Sequence, residues 1–392
     1  MPVHNRIAEF HAEMTAWRRD FHRHPELGME EHRTSALVAE RLRAFGVDEV
    51  VTGIAGTGVV GVIRGRGSSP RAIGLRADMD ALPIQEENDF PWASATPGRM
   101  HACGHDGHTA MLLGAAKYLA ETRNFDGTVY VIFQPAEENL AGGQKMVEEG
   151  LFTRFPMEMV FGLHNWPGVP AGVFVWRSGP IMAAVANIEI TVRGKGAHGA
   201  MPHQGTDPIV IAAQIVSALQ SIVSRNLEPV EAAVVTIGHI EGGDTWNVIP
   251  SLVRMRGTAR WFRPEVGDLL EERVKALATG IAAAFGAEAQ VRFDRAYPAT
   301  VNDPEATALT VRAAQAVAGE SRVMEMPKPT MGGEDFAYML NAKQGSYILL
   351  GSGRGPEDPQ VHHPRYDFND DILPIGASYW ATLAEQLLPR RG

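Results

Sequence analysis

Four short apolar runs, at residues 58–63, 72–75, 129–133 and 159–163, limit the folds open to this chain. Each has the length of a strand buried on both faces, and helical segments alternate with several of them. That pattern argues for an α/β architecture in which helices cover the faces of a sheet. Three of the runs end in residues that carry chemistry. Leu75 leads into Arg76-Ala77-Asp78-Met79-Asp80, Phe133 into Gln134-Pro135-Ala136-Glu137-Glu138, and Leu163 directly into His164-Asn165. Open α/β sheets gather their sites at the carboxyl ends of the strands. One polar residue at a strand end is ordinary; three such clusters point to a site.

Residues 100–109 add the softest donors in the chain. Here Met100-His101-Ala102-Cys103-Gly104-His105-Asp106-Gly107-His108-Thr109 holds the single cysteine and three of the fourteen histidines. A thiolate and an imidazole flanking a glycine can turn toward one cation, and sulfur with nitrogen suits Zn²⁺ and its first-row neighbours. Gly107 is expected to open a helix, because residues 110–120 are apolar and helix-favouring. The plain alternative is a small buried cysteine with no ligand role.

The hydrophobic period changes between about residues 183 and 296. Residues 187–193 alternate strictly, predicting a strand with one wet face. A helix comes next over 208–223, with Ile211, Ile215, Leu219 and Ile222 on one side. A strand is expected at 232–240, and an alternating one at 253–261 sets Arg254, Arg256 and Arg260 opposite Val253, Met255 and Trp261. A helix over 267–285 and a strand over 288–293 complete the order β-α-β-β-α-β of a ferredoxin-like layer. The chain therefore divides into a domain built from residues 1–182 and 298–392, and a second domain, 183–297, inserted into it. At 392 residues two domains fit, since single cores stop growing at roughly 250–300 residues. Residues 5–45 read as two helices split at Pro25.

A net charge of −10 and a pI near 5.8 leave no basic footprint for nucleic acid or an anionic membrane. One cysteine makes no internal disulfide, which fits a reducing compartment. The first residues carry charge where a signal peptide needs an apolar core, and no apolar run nears about 18 residues. A cytoplasmic protein with no membrane partner is expected.

The segments LRADMDALP, MHACGHDGHTAMLLGAA, QPAEE, GLHN, GAHGAMPH, NVIP, GGEDFA and VHHPRYDFND run through nearly the whole chain. In this order they resemble the aminoacylase/carboxypeptidase-type metallopeptidases, most closely the branch of hippurate hydrolases, N-acyl-amino-acid amidohydrolases and auxin-conjugate hydrolases. The resemblance implies a zinc-peptidase-like catalytic domain with a mixed sheet, two divalent metal ions (Zn, Mn, Co or Ni), and a ferredoxin-like lid that often makes a homodimer or higher homo-oligomer. By resemblance the metal ligands are Cys103, His105, Glu138, His164 and His362, with Cys103 in the bridging place that an aspartate holds in the wider family. Asp78 stands where relatives outside the branch have a histidine, and is left out of the ligand set. Glu137 becomes the general base, Asp80 an orienting group, and His198 a donor to the scissile carbonyl, commonly across the dimer interface. Asn247 and Arg260 hold the amino-acid end of the substrate.

Chemistry gives these residue types a reason. Amide hydrolysis needs a strong nucleophile and a carboxylate that moves its proton to the leaving nitrogen. In extended backbone, adjacent Glu137 and Glu138 point opposite ways, so one can hold metal while the other serves as base. The plain alternative is a solvated glutamate pair opening a helix at 141–149. His198 sits in a glycine-rich turn, where a histidine is ordinarily just surface, and Arg260 is one of three arginines on a polar strand face. A guanidinium fork matches a substrate carboxylate. His22, His24, His101, His108 and Glu334 read as structural or supporting groups. The expected function is hydrolysis of small-molecule N-acyl-L-amino acids, hippurate-like, to carboxylic acid and free amino acid. A dipeptidase or aminopeptidase on the same metal core and a non-catalytic metal- or ligand-binding relative are the alternatives. A purely structural role would need no metal.

Overall fold

The computed structural model describes residues 4–390. It divides into two compact units. One comprises the chain up to Ile181 together with Thr300–Pro329 and everything from Glu334 on; the other is Met182–Ala299 with Thr330–Gly333.

The first unit is organised on an eight-stranded sheet. Its order is Glu49–Ile54, Gly58–Arg64, Thr128–Gln134, Ala72–Asp78, Met159–Pro170, Gln344–Gly353, Phe174–Trp176 and Val323–Glu325. The four central strands, from Thr128–Gln134 to Gln344–Gly353, run parallel, and antiparallel pairings flank them. Every residue of Ala72–Asp78 is buried, as a strand covered on both faces must be. This is why those runs are apolar end to end instead of alternating. The parallel direction brings Asp78, Gln134 and His164 toward one sheet edge.

Helix His105–Thr122 packs among helices His11–Arg23 and Leu373–Leu387 and the sheet. It is buried around nearly its whole circumference, so no amphipathic stripe marks it in the sequence. Its start corrects the expectation of Gly107: Gly104 is the left-handed cap, and His105 already stands on the first turn. The amino-terminal segment also breaks once more than expected, at Phe10, giving Asn5–Glu9, His11–Arg23 and His32–Ala44. Asp303 caps helix Pro304–Ala318 by accepting from the amide of Ala306 at 2.9 Å.

The second unit runs β-α-β-β-α-β. Strands Ala233–Glu241, Leu252–Trp261, Ala184–Arg193 and Glu288–Tyr297 lie side by side in that order, all antiparallel. Helices Pro208–Ser221 and Pro264–Ala284 supply Ile211, Ile215, Leu219, Leu270 and Val274 to a core shared with Ile188, Ile190, Val253 and Met255. The second helix begins three residues before Gly267, where Pro264 fits the first turn because it lacks an amide hydrogen. The first continues through a π turn, Ile222–Asn226, making one helix as long and apolar as a membrane span, against the expectation of no such run. Its Ile211, Ile215 and Leu219 are spent on this unit's own core.

Candidate metal centre

Gly104 sets the geometry. Its φ of +97° is open to glycine, and a Cβ there would lie 2.2 Å from Asn165 Oδ1 and 2.7 Å from the Tyr366 hydroxyl. The turn it makes aims Cys103 and His105 into one buried space. Cys103 Sγ lies 3.3 Å from His164 Nε2. The other nitrogen of His164 donates to the Asn165 carbonyl at 2.6 Å, and Nδ1 of His105 meets Asp80 Oδ1 at 3.1 Å. Each ring is thus fixed at one nitrogen by an oxygen and presents the other to the same space, the arrangement that orients metal-binding imidazoles.

Among the described residues five triads bring their ligand atoms within 4.8 Å of one another, and two of them share a cysteine: Cys103, His105 and His164, and Cys103, Glu138 and His362. Cys103 belongs to both. His105 Nε2 and Glu138 Oε1 are buried and make no hydrogen bond of good geometry among the described residues; what faces them is Asp78 Oδ2 at 3.8 Å and His362 Nε2 at 3.3 Å. Burying such atoms unmatched is costly, and a cation satisfies both. Among the described residues the donor set of one thiolate, three imidazoles and one carboxylate therefore fits divalent first-row metals.

The electrostatics agree. Burial pushes the Cys103 thiol well above its ordinary value, and the carboxylates of Glu138 and Glu137 add to it, so a thiolate there calls for a neighbouring positive charge. For His105 burial opposes the charged form, yet Asp78, Asp80 and Glu138 raise its pKa to about 10. Burial and the neighbouring His108 lower that of His164.

Asp80 is bound on both sides: Oδ1 to His105, and Oδ2 accepting from the Glu138 amide at 2.9 Å. His362 Nε2 lies 3.3 Å from Glu138 Oε1, and its amide donates to the Ala102 carbonyl at 2.7 Å, tying its loop to the Cys103 loop. His363 is engaged elsewhere, accepting from the Arg365 amide at 3.0 Å. Glu137 is buried beside Glu334 and Asp335, and its Oε1 accepts from the Asp335 amide at 3.3 Å. Burial, then Glu334 and Glu138, hold its pKa well above the usual carboxylate range. Glu137 and Glu138 do not point opposite ways as expected: the chain turns behind Ala136, at φ +53°, and a carboxylate oxygen of each lies within 4.8 Å of the other and of a His105 nitrogen.

The remaining three expected residues lie in the second unit. The short pair Ala197–His198 and Val248–Ile249 sets His198 opposite Val248, and the Asn247 carbonyl accepts from Gly199 at 2.7 Å. These two are brought together and are exposed. Arg260 stands apart on strand Leu252–Trp261, with Nε donating to Thr258 Oγ1 at 3.1 Å.

Sequence reasoning misses Arg76. It is fully buried and donates to Gln134, Asp78, Glu334 and Asp335 at 2.7–3.1 Å. It also misses the clamp on His108, whose nitrogens are taken by Asp78 at 2.6 Å and by Asn165. Asp78 therefore faces Arg76 and His108. The available signal was an arginine placed directly after an apolar strand run, with an acidic pair, Glu334-Asp335, elsewhere to receive it.

Residues 74–386 match the sequence profile of Peptidase family M20/M25/M40. The chain is 41% identical to a hippurate hydrolase of Campylobacter jejuni subsp. jejuni serotype O:2, over 97% of this chain and 98% of that protein. It is 43% identical to an N-acetyl-L-cysteine deacetylase of Bacillus subtilis strain 168, over 93% and 85% of the two. Among solved structures, the Bacillus subtilis YXEP protein, described as a dinuclear metal binding peptidase from the M20 family, superposes with a TM-score of 0.82 at 36% identity, covering 97% of this chain and 99% of that one.

Proposed function

This chain belongs to peptidase family M20/M25/M40, and from that membership we propose that it is a metal-dependent amidohydrolase that cleaves N-acyl-L-amino acids to a carboxylic acid and a free amino acid. The observation that carries the reading is Cys103, shared by two ligand triads with the buried carboxylate of Glu137 alongside. Cys103, His105 and His164 would hold one divalent ion, and Cys103, Glu138 and His362 a second; Zn, Mn, Co and Ni all suit the donors. Such ions supply Lewis acidity, polarising an amide carbonyl and bringing the pKa of water to roughly 7.

The chain's own residues do the rest. Glu137, whose buried carboxyl group has a raised proton affinity, accepts the proton of the attacking water at Oε and hands it to the leaving nitrogen. Asp80 fixes the ring of His105 and the backbone of Glu138. His198 donates to the developing oxyanion, and Asn247 with Arg260 receives the substrate carboxylate. We assign these last three roles to a homodimer or higher homo-oligomer, in which the second unit acts as lid and His198 serves the neighbouring copy's site. A net charge of −10 supports a small-molecule substrate over nucleic acid, and the lone cysteine supports a cytoplasmic setting.

The test is free amino-acid release from N-benzoyl, N-acetyl and indole-acetyl amino acids and from simple dipeptides, using metal-stripped protein, protein with added Mn²⁺, Co²⁺ or Zn²⁺, and Glu137→Ala. Metal-dependent release from acylated substrates, lost in Glu137→Ala, is expected. Release from dipeptides alone would replace this reading with a peptidase.

A further inference from the structure

We infer that the acyl group of the substrate seats in a groove that runs off the strand carrying His164, between residues 167–170 and 353–360; this inference rests on the amidohydrolase reading. Trp166 lies two positions beyond His164 and so on the same strand face. The two rings meet edge to face with centroids 6.3 Å apart. Past Trp166 the pairing with Gln344–Gly353 slips. Trp166 stands opposite Gly351 and Pro170 opposite Gly353, four steps along one strand against two along the other. The surplus bulges outward, a device that re-aims residues next to active sites.

Two glycines permit the crossing. A Cβ at Gly351 would lie 2.2 Å from the Pro170 carbonyl oxygen, and one at Gly353 2.2 Å from that of Pro167. Between the bulge and the loop after Gly353 lies a groove of about 440 Å³, within the roughly 300–1,000 Å³ of small-ligand sites. The far wall runs on through Gln360 to His362. Both walls are therefore continuations of segments that deliver metal-ligand candidates. At Gly168 the strand offers no side chain, and a Cβ there would sit 3.5 Å from the indole nitrogen of Trp166 and 3.6 Å from Gln360 Oε1.

The chemistry of the walls selects the occupant. They are mostly proline, glycine and valine, and the one cation among the lining residues is Arg354. Its guanidinium is already engaged by the carboxylates of Asp358 and Asp367 and the carbonyls of Asp367 and Phe368. A substrate carboxylate finds no free partner there. An uncharged aromatic acyl group finds apolar walls and the space that glycine leaves.

The experiment measures kcat/KM on N-benzoyl and N-acetyl derivatives of one amino acid with the metal-loaded full chain, its Gly168→Val variant and its Gln360→Trp variant. The two variants fill the groove from opposite walls, and if one fails to fold the other decides. The benzoyl-to-acetyl ratio is expected to fall at least about ten-fold in the variants. A ratio held within about two-fold overturns the assignment, as does wild type that cleaves only the N-acetyl compound. A shift in preference among amino-acid side chains at a fixed acyl group, of equal size, also overturns it. In each of those cases wild-type amino-acid release shows the amidohydrolase reading intact. Release from neither substrate removes that reading and the groove assignment together.

Discussion

Asp80 grips His105 while also holding the backbone of its fellow ligand candidate, Glu138. One carboxylate oxygen meets His105 Nδ1 at 3.1 Å and the other accepts from the Glu138 amide at 2.9 Å. A single side chain thus fixes the ring orientation of one ligand candidate on a helix and the backbone of another beyond a strand end. Asp80→Asn keeps the shape but replaces one acceptor oxygen with a donor and removes the charge. Metal affinity is expected to fall about 10–100-fold, with amino-acid release falling in parallel at limiting metal. Competition against a chelating dye measures it; unchanged affinity would mean that Asp80 does not orient the ligands.

Arg76 is the counterion for a carboxylate cluster with no access to water. Burial alone would lower its pKa, but Glu334, Asp78 and Asp335 hold it well above the ordinary value. Removing the charge strands those carboxylates. Arg76→Met is expected to destabilise the chain by about 3–5 kcal/mol, read from denaturant midpoints. A loss below about 1 kcal/mol would show that the carboxylates do not depend on it.

His22 gives stability a dependence on pH. Burial opposes its charge, but hydrogen bonds to Asp106 at 2.9 Å and Glu86 at 3.1 Å overcome this and raise its pKa to about 9, while Arg18 nearby counts against it. The folded value exceeds an unfolded value near 6.5. The ion pair's contribution is therefore complete below about pH 6.5 and is lost as pH rises through about 9, a change on the order of 3 kcal/mol. Unfolding free energies at pH 6, 8 and 9.5, wild type against His22→Gln, isolate it. Equal slopes in the two proteins would contradict the assignment.

If His198 serves the neighbouring copy, inactive His198→Ala and Glu137→Ala proteins complement each other. Mixing them is expected to restore part of the activity through heterodimers that hold one intact site. Confirmed subunit exchange with no recovery would place His198 in its own chain's site or outside catalysis.

Much of the centre was readable because its signals are local. Cys103 and His105 flank a glycine, Glu137 and Glu138 come just after a strand run, and His164 ends one. Arg76 was not, because a charge inside an apolar run makes sense only beside Glu334, 258 positions away. The start of helix His105–Thr122 was misplaced because a helix buried on all sides has no polar stripe, and its start signal is a left-handed glycine that the sequence does not distinguish from Gly107. The opposite courses expected of Glu137 and Glu138 are not found, since the chain turns behind Ala136 and that turn is set by tertiary contacts such as its amide on Glu31 Oε1 at 2.8 Å. The apolar periods of the second unit transferred well, because one covered face and one open face leave alternation over residues 187–193.

The shared place of Cys103 is the claim on which the site stands. Calorimetric titration of metal-stripped protein with Zn²⁺ or Co²⁺, wild type against Cys103→Ala, tests it most directly. Two ions per wild-type chain are expected, with both sites weakened together in the variant. Loss of one site with the other unchanged, or no loss at all, would contradict a bridging cysteine and with it the two-ion centre.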